Sequence, residues 1–197
     1  MSNPVTTPSR VRRPEERRRE LLDAATVLFA ERGVTPVSIA DITSRAGAAV
    51  GTFYRFFETK ESLLGAVRRD ALDELCARAA AVATKHIDAD WWAGADAMTE
   101  AMVGFFYEDR DRAKVVLNLA PEEGYEAEEE LLRLFAAGIR VGQQTGAVGD
   151  VDPDFAASFV LHASFGLLYH AICDRPTVSR ARLTAELHRH VRKLLAR

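Results

Sequence analysis

The sequence predicts an all-α protein of about nine helices. Two patterns and one absence predict it. Apolar residues recur at i, i+3 or i+4, and i+7 through the long segments, as in helices with one buried face. Gly, Pro and Asp then punctuate the chain near residues 33, 47, 109–111, 121–124, 146–153 and 174–177. No run alternates with period two over a useful length, so no strand is expected.

The first helix is expected over 14–32. Leu21, Ala25, Leu28 and Phe29 form its buried stripe, and Gly33 stops it. Residues 1–13 ahead of it read as a flexible basic arm, rich in Pro, Ser, Thr and Arg. Arg10, Arg12, Arg13, Arg17, Arg18 and Arg19 crowd this arm and the helix start. They suit a DNA backbone or minor groove, and equally a solvated tail.

Ser38 caps the second helix, and Asp41 three residues on completes a capping-box pattern. Ile39, Ile42 and Ala46 give it a buried face, and Gly47 ends it. The third helix is expected from Ala49 to Phe57. At about 100° per residue, Ala49, Phe53 and Phe57 share one face, flanked by Val50 and Phe56. Gly51 and Arg55 point the opposite way, with Thr52 and Tyr54 on either side.

Two short helices about a tight turn read as a helix-turn-helix, whose second helix enters the DNA major groove. Gly51 lets backbone approach backbone, Thr52 and Tyr54 can donate to phosphates, and Arg55 can reach a base edge or a phosphate. Ser38, Arg45, Ala49 and Val50 complete the candidate contacts on these helices. An ordinary amphipathic helix with a small polar face is the other reading of this stretch.

The fourth helix opens at the N-cap Thr59 and runs to about Lys85. Lys60 in its first turn is a candidate phosphate anchor. Leu63, Leu64, Val67, Leu72 and Leu75 carry the helix onward with no Pro/Gly linker, as one rod between an N-terminal domain (1–60) and the rest (61–197). Further helices are expected near 92–107, 111–119, 126–144, 153–173 and 179–196.

The stretch RRELLDAATVLFAERGVTPVSIADITSRAGAAVGTFYRFFETKESLL, residues 18–64, resembles the DNA-binding domain of the TetR family of transcriptional regulators. LLDAATVLFAERG matches its first helix, SIADITSRAG its second, GTFYRFF its recognition helix and TKESLL the opening of its fourth. Two positions depart from the family pattern. Ala49 stands where a hydroxyl residue usually caps the recognition helix, and Val50 where many relatives are polar or basic. The missing cap should cost on the order of 1 kcal/mol and one phosphate contact.

Composition is ordinary for a soluble globular protein. The chain has 197 residues, 48% hydrophobic and 28% charged, with net charge −3. Residues 1–60 hold 10 Lys and Arg against 7 Asp and Glu, a net of +3, so the −6 balance lies beyond them. Positive charge thus gathers at the helix-turn-helix. Cys76 and Cys173 read as buried free thiols. No apolar signal segment opens the chain, so a cytoplasmic protein is expected. Residues 155–173 lack Asp, Glu, Lys and Arg, yet Ser158, His162, Ser164, Gly166 and His170 interrupt them. They read as a helix buried on nearly all sides, with no membrane association.

No catalytic triad, phosphate loop or paired Cys/His spacing stands out, so no enzyme, cofactor or metal is expected. His86, Asp88 and Asp90 read as a solvated turn, and the acidic run from Glu122 to Glu130 as a loop and helix start. His188 and His190 read as surface or interface residues. The resemblance implies a C-terminal ligand-binding and dimerisation domain. If it carries over, Phe105, Phe106, Leu117, Phe135, Phe159, His162 and Phe165 are candidates to line an apolar pocket for an unidentified small-molecule effector. The last two helices resemble the family's dimerisation pair. Ala156, Ala163 and Gly166 permit close approach, and Leu187, Val191 and Leu194 offer apolar contact. The implied partners are a double-stranded operator and a second copy of the chain. The implied function is a homodimeric repressor, with an effector-independent regulator as the rival reading and a helical enzyme or membrane-associated module as a distant third.

Overall fold

The computed structural model describes residues 13–85, 90–117, 125–174 and 177–196. Among them are nine α-helices, one π-helical turn and no strand. The helices are α1 (Pro14–Arg32), α2 (Ile39–Arg45), α3 (Val50–Phe53), α4 (Lys60–Lys85), α5 (Trp91–Glu108), α6 (Arg110–Leu117), α7 (Tyr125–Gln144), α8 (Pro153–Tyr169) and α9 (Arg180–Leu195). The π-helical turn His170–Asp174 prolongs α8. The arm before Arg13, together with His86 and Asp88, lies outside the described residues.

Two main cores form, and their boundary falls inside α4. The N-terminal core gathers Leu21, Ala25 and Leu28 of α1, Ile42 of α2, Phe53 of α3, and Leu63, Leu64 and Val67 of α4. The C-terminal core begins at Ala71 and Leu72 on that same helix. Each large side chain fully buried contributes about 1.5–3 kcal/mol relative to exposure. α4 therefore belongs to both units, as its unbroken apolar stripe predicts.

A second bridge was not anticipated. α6 sends Val115 into the N-terminal core and Ala113 and Val116 into the C-terminal one. Its short amphipathic run carries no mark of a two-sided role. Ion pairs brace it, since Arg112 Nη1 meets Glu74 Oε2 of α4 at 2.6 Å. Arg78 ties Glu74 to Glu108 at the end of α5.

α8 departs from expectation. One face is buried through Ala157, Leu161, Ser164 and Leu168, but the other is open. Phe155 is 73% exposed, Phe159 55% and Leu167 42%. With its π-helical turn, α8 makes a 22-residue helix, Pro153–Asp174, long and apolar enough to cross a membrane by length and composition, and 44% of its most apolar stretch is buried. A sequence without charges says only that both faces avoid ions. It does not say that this chain covers both.

Candidate nucleic-acid interface

The helix-turn-helix is built from caps. Ser38 Oγ accepts from the Asp41 amide at 3.1 Å, while the Asp41 carboxylate accepts from the Ser38 amide at 2.9 Å. Hydrogen bonds from the Ser38 side chain and then its amide hold the Asp41 carboxyl below its ordinary range. At the other end of α2, the Ala48 amide donates to Thr43 O and the Gly47 amide to Ser44 O. This six-to-one and five-to-two pairing needs a left-handed residue, and Gly47 supplies it at φ 59°.

Three cations brace the unit from behind. Lys60 Nζ donates to the carbonyls of Val34 at 2.8 Å, Val37 at 2.9 Å and Thr35 at 3.3 Å. Its protons are committed to the chain that leads into α2, so its side chain positions the unit instead of reaching outward. Arg17 Nη1 donates to Gly47 O at 3.4 Å. Arg18 donates to Asp70 through Nη1 and Nη2, and its guanidinium carbon lies 5.8 Å from the centre of the Phe57 ring. Of the arginines assigned to the arm and helix start, these two serve the fold, whereas Arg13 and Arg19 are exposed. A sequence shows charge at these positions, not the carbonyls that absorb it.

The third helix is shorter than the expected 49–57. Regular α-helix ends at Phe53, and the chain then tightens. Arg55 and Phe56 amides donate three residues back, to Thr52 and Phe53, and Phe57 donates four back to Phe53. The cause is the aromatic trio. Phe53 and Phe57 are buried with ring centres 5.7 Å apart, and Phe56 packs beside Phe57 at 6.5 Å. Drawing all three inward overwinds the turn. No side chain at Ala49 caps its start.

The outward face holds Gly51, Tyr54 and Arg55 as the residue pattern expects, but Ala49 and Val50, placed on or beside the core face, are also exposed, because they start the helix ahead of its buried turn. Val50 is 47% exposed and Tyr54 57%. Arg45 and Arg55 are exposed and Thr52 is half-buried. A methyl group added at Gly51 would meet no atom within 4 Å. The Arg55 guanidinium lies 6.0 Å from the Phe56 ring centre, on the protein's outer surface. The two helices thus expose two guanidinium groups, the Tyr54 hydroxyl, a half-buried Thr52 hydroxyl and the bare backbone at Gly51, groups suited to phosphates and base edges.

The candidate ligand residues are not all brought together. Phe105 and Phe106 are buried in the C-terminal core, with Leu117, Phe135 and Phe165 packed against it. Phe106 meets Phe165 edge-on at 5.6 Å. Phe159 and His162 lie on the exposed face of α8 instead. A narrow apolar crevice with no room for a water molecule runs between Leu75 and Ala79 of α4, Met98 and Met102 of α5, and Leu131 and Phe135 of α7. Only Phe135 was assigned to it in advance.

The dimer candidates also divide. Ala163, Gly166 and Leu194 are exposed, and Val191 is half-buried. Ala156 and Leu187 are already covered by this chain's own cores. Asp90, once grouped with His86 and Asp88, caps α5 by accepting from the Ala93 amide at 3.3 Å. Among the described residues no cluster of three metal-ligating side chains occurs. Cys76 and Cys173 are half-buried and outside any disulfide, and burial pushes both thiols up from their ordinary values.

Residues 21–67 match the model of the bacterial regulatory proteins of the tetR family. Along most of its length the chain is similar to the HTH-type transcriptional repressor KstR2 of Rhodococcus jostii. They are 30% identical over 157 residues, 73% of this chain and 74% of that protein. The fold is similar to that of the fatty acid degradation regulator FadR from Bacillus halodurans, with a TM-score of 0.79 at 17% identity, covering 89% and 94% of the two chains. It is also similar to FadR from Bacillus subtilis, solved in complex with stearoyl-CoA, with a TM-score of 0.76 at 17% identity over 88% and 96%. These relatives are regulators and not enzymes. The capped helix pair, its outward ridge and an extended match to a repressor agree, and the chain belongs to the TetR family of DNA-binding transcriptional regulators.

Proposed function

We infer that the chain works in the cytoplasm as a homodimeric repressor. It binds a near-palindromic duplex operator through paired α3 ridges and leaves it when a small, largely apolar molecule enters the C-terminal core. The observation that carries this is the ridge of Gly51, Thr52, Tyr54 and Arg55, outward-facing and mounted on a helix pair locked by Lys60 and Arg17. The open apolar face of α8 supports pairing, because a second copy would cover Phe155 and Phe159 about a two-fold axis. Two-fold pairing sets half-sites about one helical turn apart. A neighbouring fold that holds stearoyl-CoA supports an apolar effector.

The test is fluorescence anisotropy on duplex DNA flanking the protein's own gene, followed by a small-molecule screen for release. Arg55→Ala is expected to weaken binding by about 1–3 kcal/mol and to relax one base preference. Unchanged affinity and preference would remove Arg55 from the interface. The tight crevice favours a second reading, a regulator that needs no effector. A screen in which nothing releases the DNA would establish that reading instead.

A further inference from the structure

Val50 has no place in the protein's own core. It opens α3 with about half its surface exposed, and Ala49 before it is exposed as well. Among the described residues of the N-terminal unit, Val50 and Tyr54 are the exposed large hydrophobics. Four positions apart, they stand in one column of the turn, and Gly51 and Arg55 form the column beside it. Arg45 and Arg55, both exposed, flank Val50 along the chain. Tyr54 carries a hydroxyl that a phosphate can use, whereas Val50 carries only methyl groups.

A valine neither donates nor accepts a hydrogen bond. Pressed against a carbonyl, a ring nitrogen or an amino group of a base edge, it would strip water from that group and return nothing. The major groove displays one apolar group, the C5 methyl of thymine. The branch at Cβ restricts Val50 to one preferred rotamer in a helix, so little freedom is lost when it makes contact. Helix formation does not explain the residue, because valine is a poorer helix former than alanine.

Building on the duplex-reading role of α3, we propose that Val50 determines sequence specificity by selecting thymine in each operator half-site through contact with its C5 methyl. This thymine lies in the same half-site as the base whose preference depends on Arg55. The selection has two parts. Thymine supplies a methyl group that the contact removes from water. Any other base at that position turns a polar edge group, or no methyl, toward the valine. Ala49, exposed one residue earlier, widens the apolar patch by a single methyl group.

Duplexes with a random core, selected on the full-length protein and sequenced, supply the operator. Fluorescence anisotropy at one salt concentration then compares the selected duplex with copies in which each thymine in turn is replaced by deoxyuridine, which lacks only the methyl. At one thymine per half-site the expected loss is about fourfold, and about fifteenfold when both half-sites are altered. Val50→Ala places a good helix former at an exposed position, so the subunit should fold. It should bind the selected duplex more weakly and treat thymine and deoxyuridine alike. Arg55→Ala should also bind more weakly, yet keep the preference for thymine over deoxyuridine. Equal binding of every deoxyuridine copy by the unaltered protein, or a methyl preference that survives Val50→Ala, would overturn the proposal. A duplex enriched by selection but indifferent to the methyl removes this role from Val50 and leaves the duplex-reading role standing. If selection enriches no duplex, the duplex-reading role falls and this one falls with it.

Discussion

Ala49 is the residue whose chemistry is least suited to its place. It starts a four-residue helix, and its side chain accepts no hydrogen bond. Ala49→Ser should add about 1 kcal/mol of stability, read as a higher Tm, and tighten operator binding through a new phosphate contact. A Tm gain without tighter binding would separate the cap from the interface. Gly51 allows the opposite split. Its surroundings are open, so Gly51→Ala should stabilise the helix by about 0.5–1 kcal/mol. The same methyl would stand between backbone and DNA and weaken operator binding. Gly47 permits no such gain. At φ 59°, an alanine there should cost about 1 kcal/mol, measured by urea unfolding. The capping box at Ser38 and the stop at Gly47 were legible because each depends on residues within four positions. The roles of Lys60 and Arg17 were not, because their acceptors are carbonyls 23–30 residues away in the chain.

At the scale of elements, every helix was placed from apolar spacing, because one buried stripe is all a helix needs to declare itself. Spacing does not reveal which neighbour covers the stripe. That is why the shortened α3, the two-sided α6 and the half-open α8 emerged only in three dimensions. α6 yields a pH prediction. The hydrogen bond from Arg112, followed by that from Arg78, holds the Glu74 carboxyl below its usual value, although burial opposes this. A carboxyl depressed in the folded state stabilises above its unfolded pKa, and the benefit fades as pH drops through the folded one. Glu74→Gln should therefore lower Tm near neutrality and flatten the acid side of the Tm-against-pH curve. A curve parallel to that of the unaltered protein would mean that the pair contributes nothing.

At the scale of the whole molecule, the question is what covers α8. Phe159→Glu changes an exposed side chain, so the subunit should still fold, yet sedimentation should show it monomeric with weakened operator binding. Retention of a dimer would place the two-fold axis elsewhere. The larger consequence belongs to α4. At 26 residues it spans about 39 Å, with Lys60 at one end and the crevice residues Leu75 and Ala79 towards the other. It is a lever whose longer arm, from Ala71 to Lys85, lies in the C-terminal core and whose shorter arm enters the DNA unit. A tilt of about 10° there would carry the Lys60 tip, about 16 Å away, by roughly 3 Å, enough to set the paired readers proposed above out of phase with a rigid double helix.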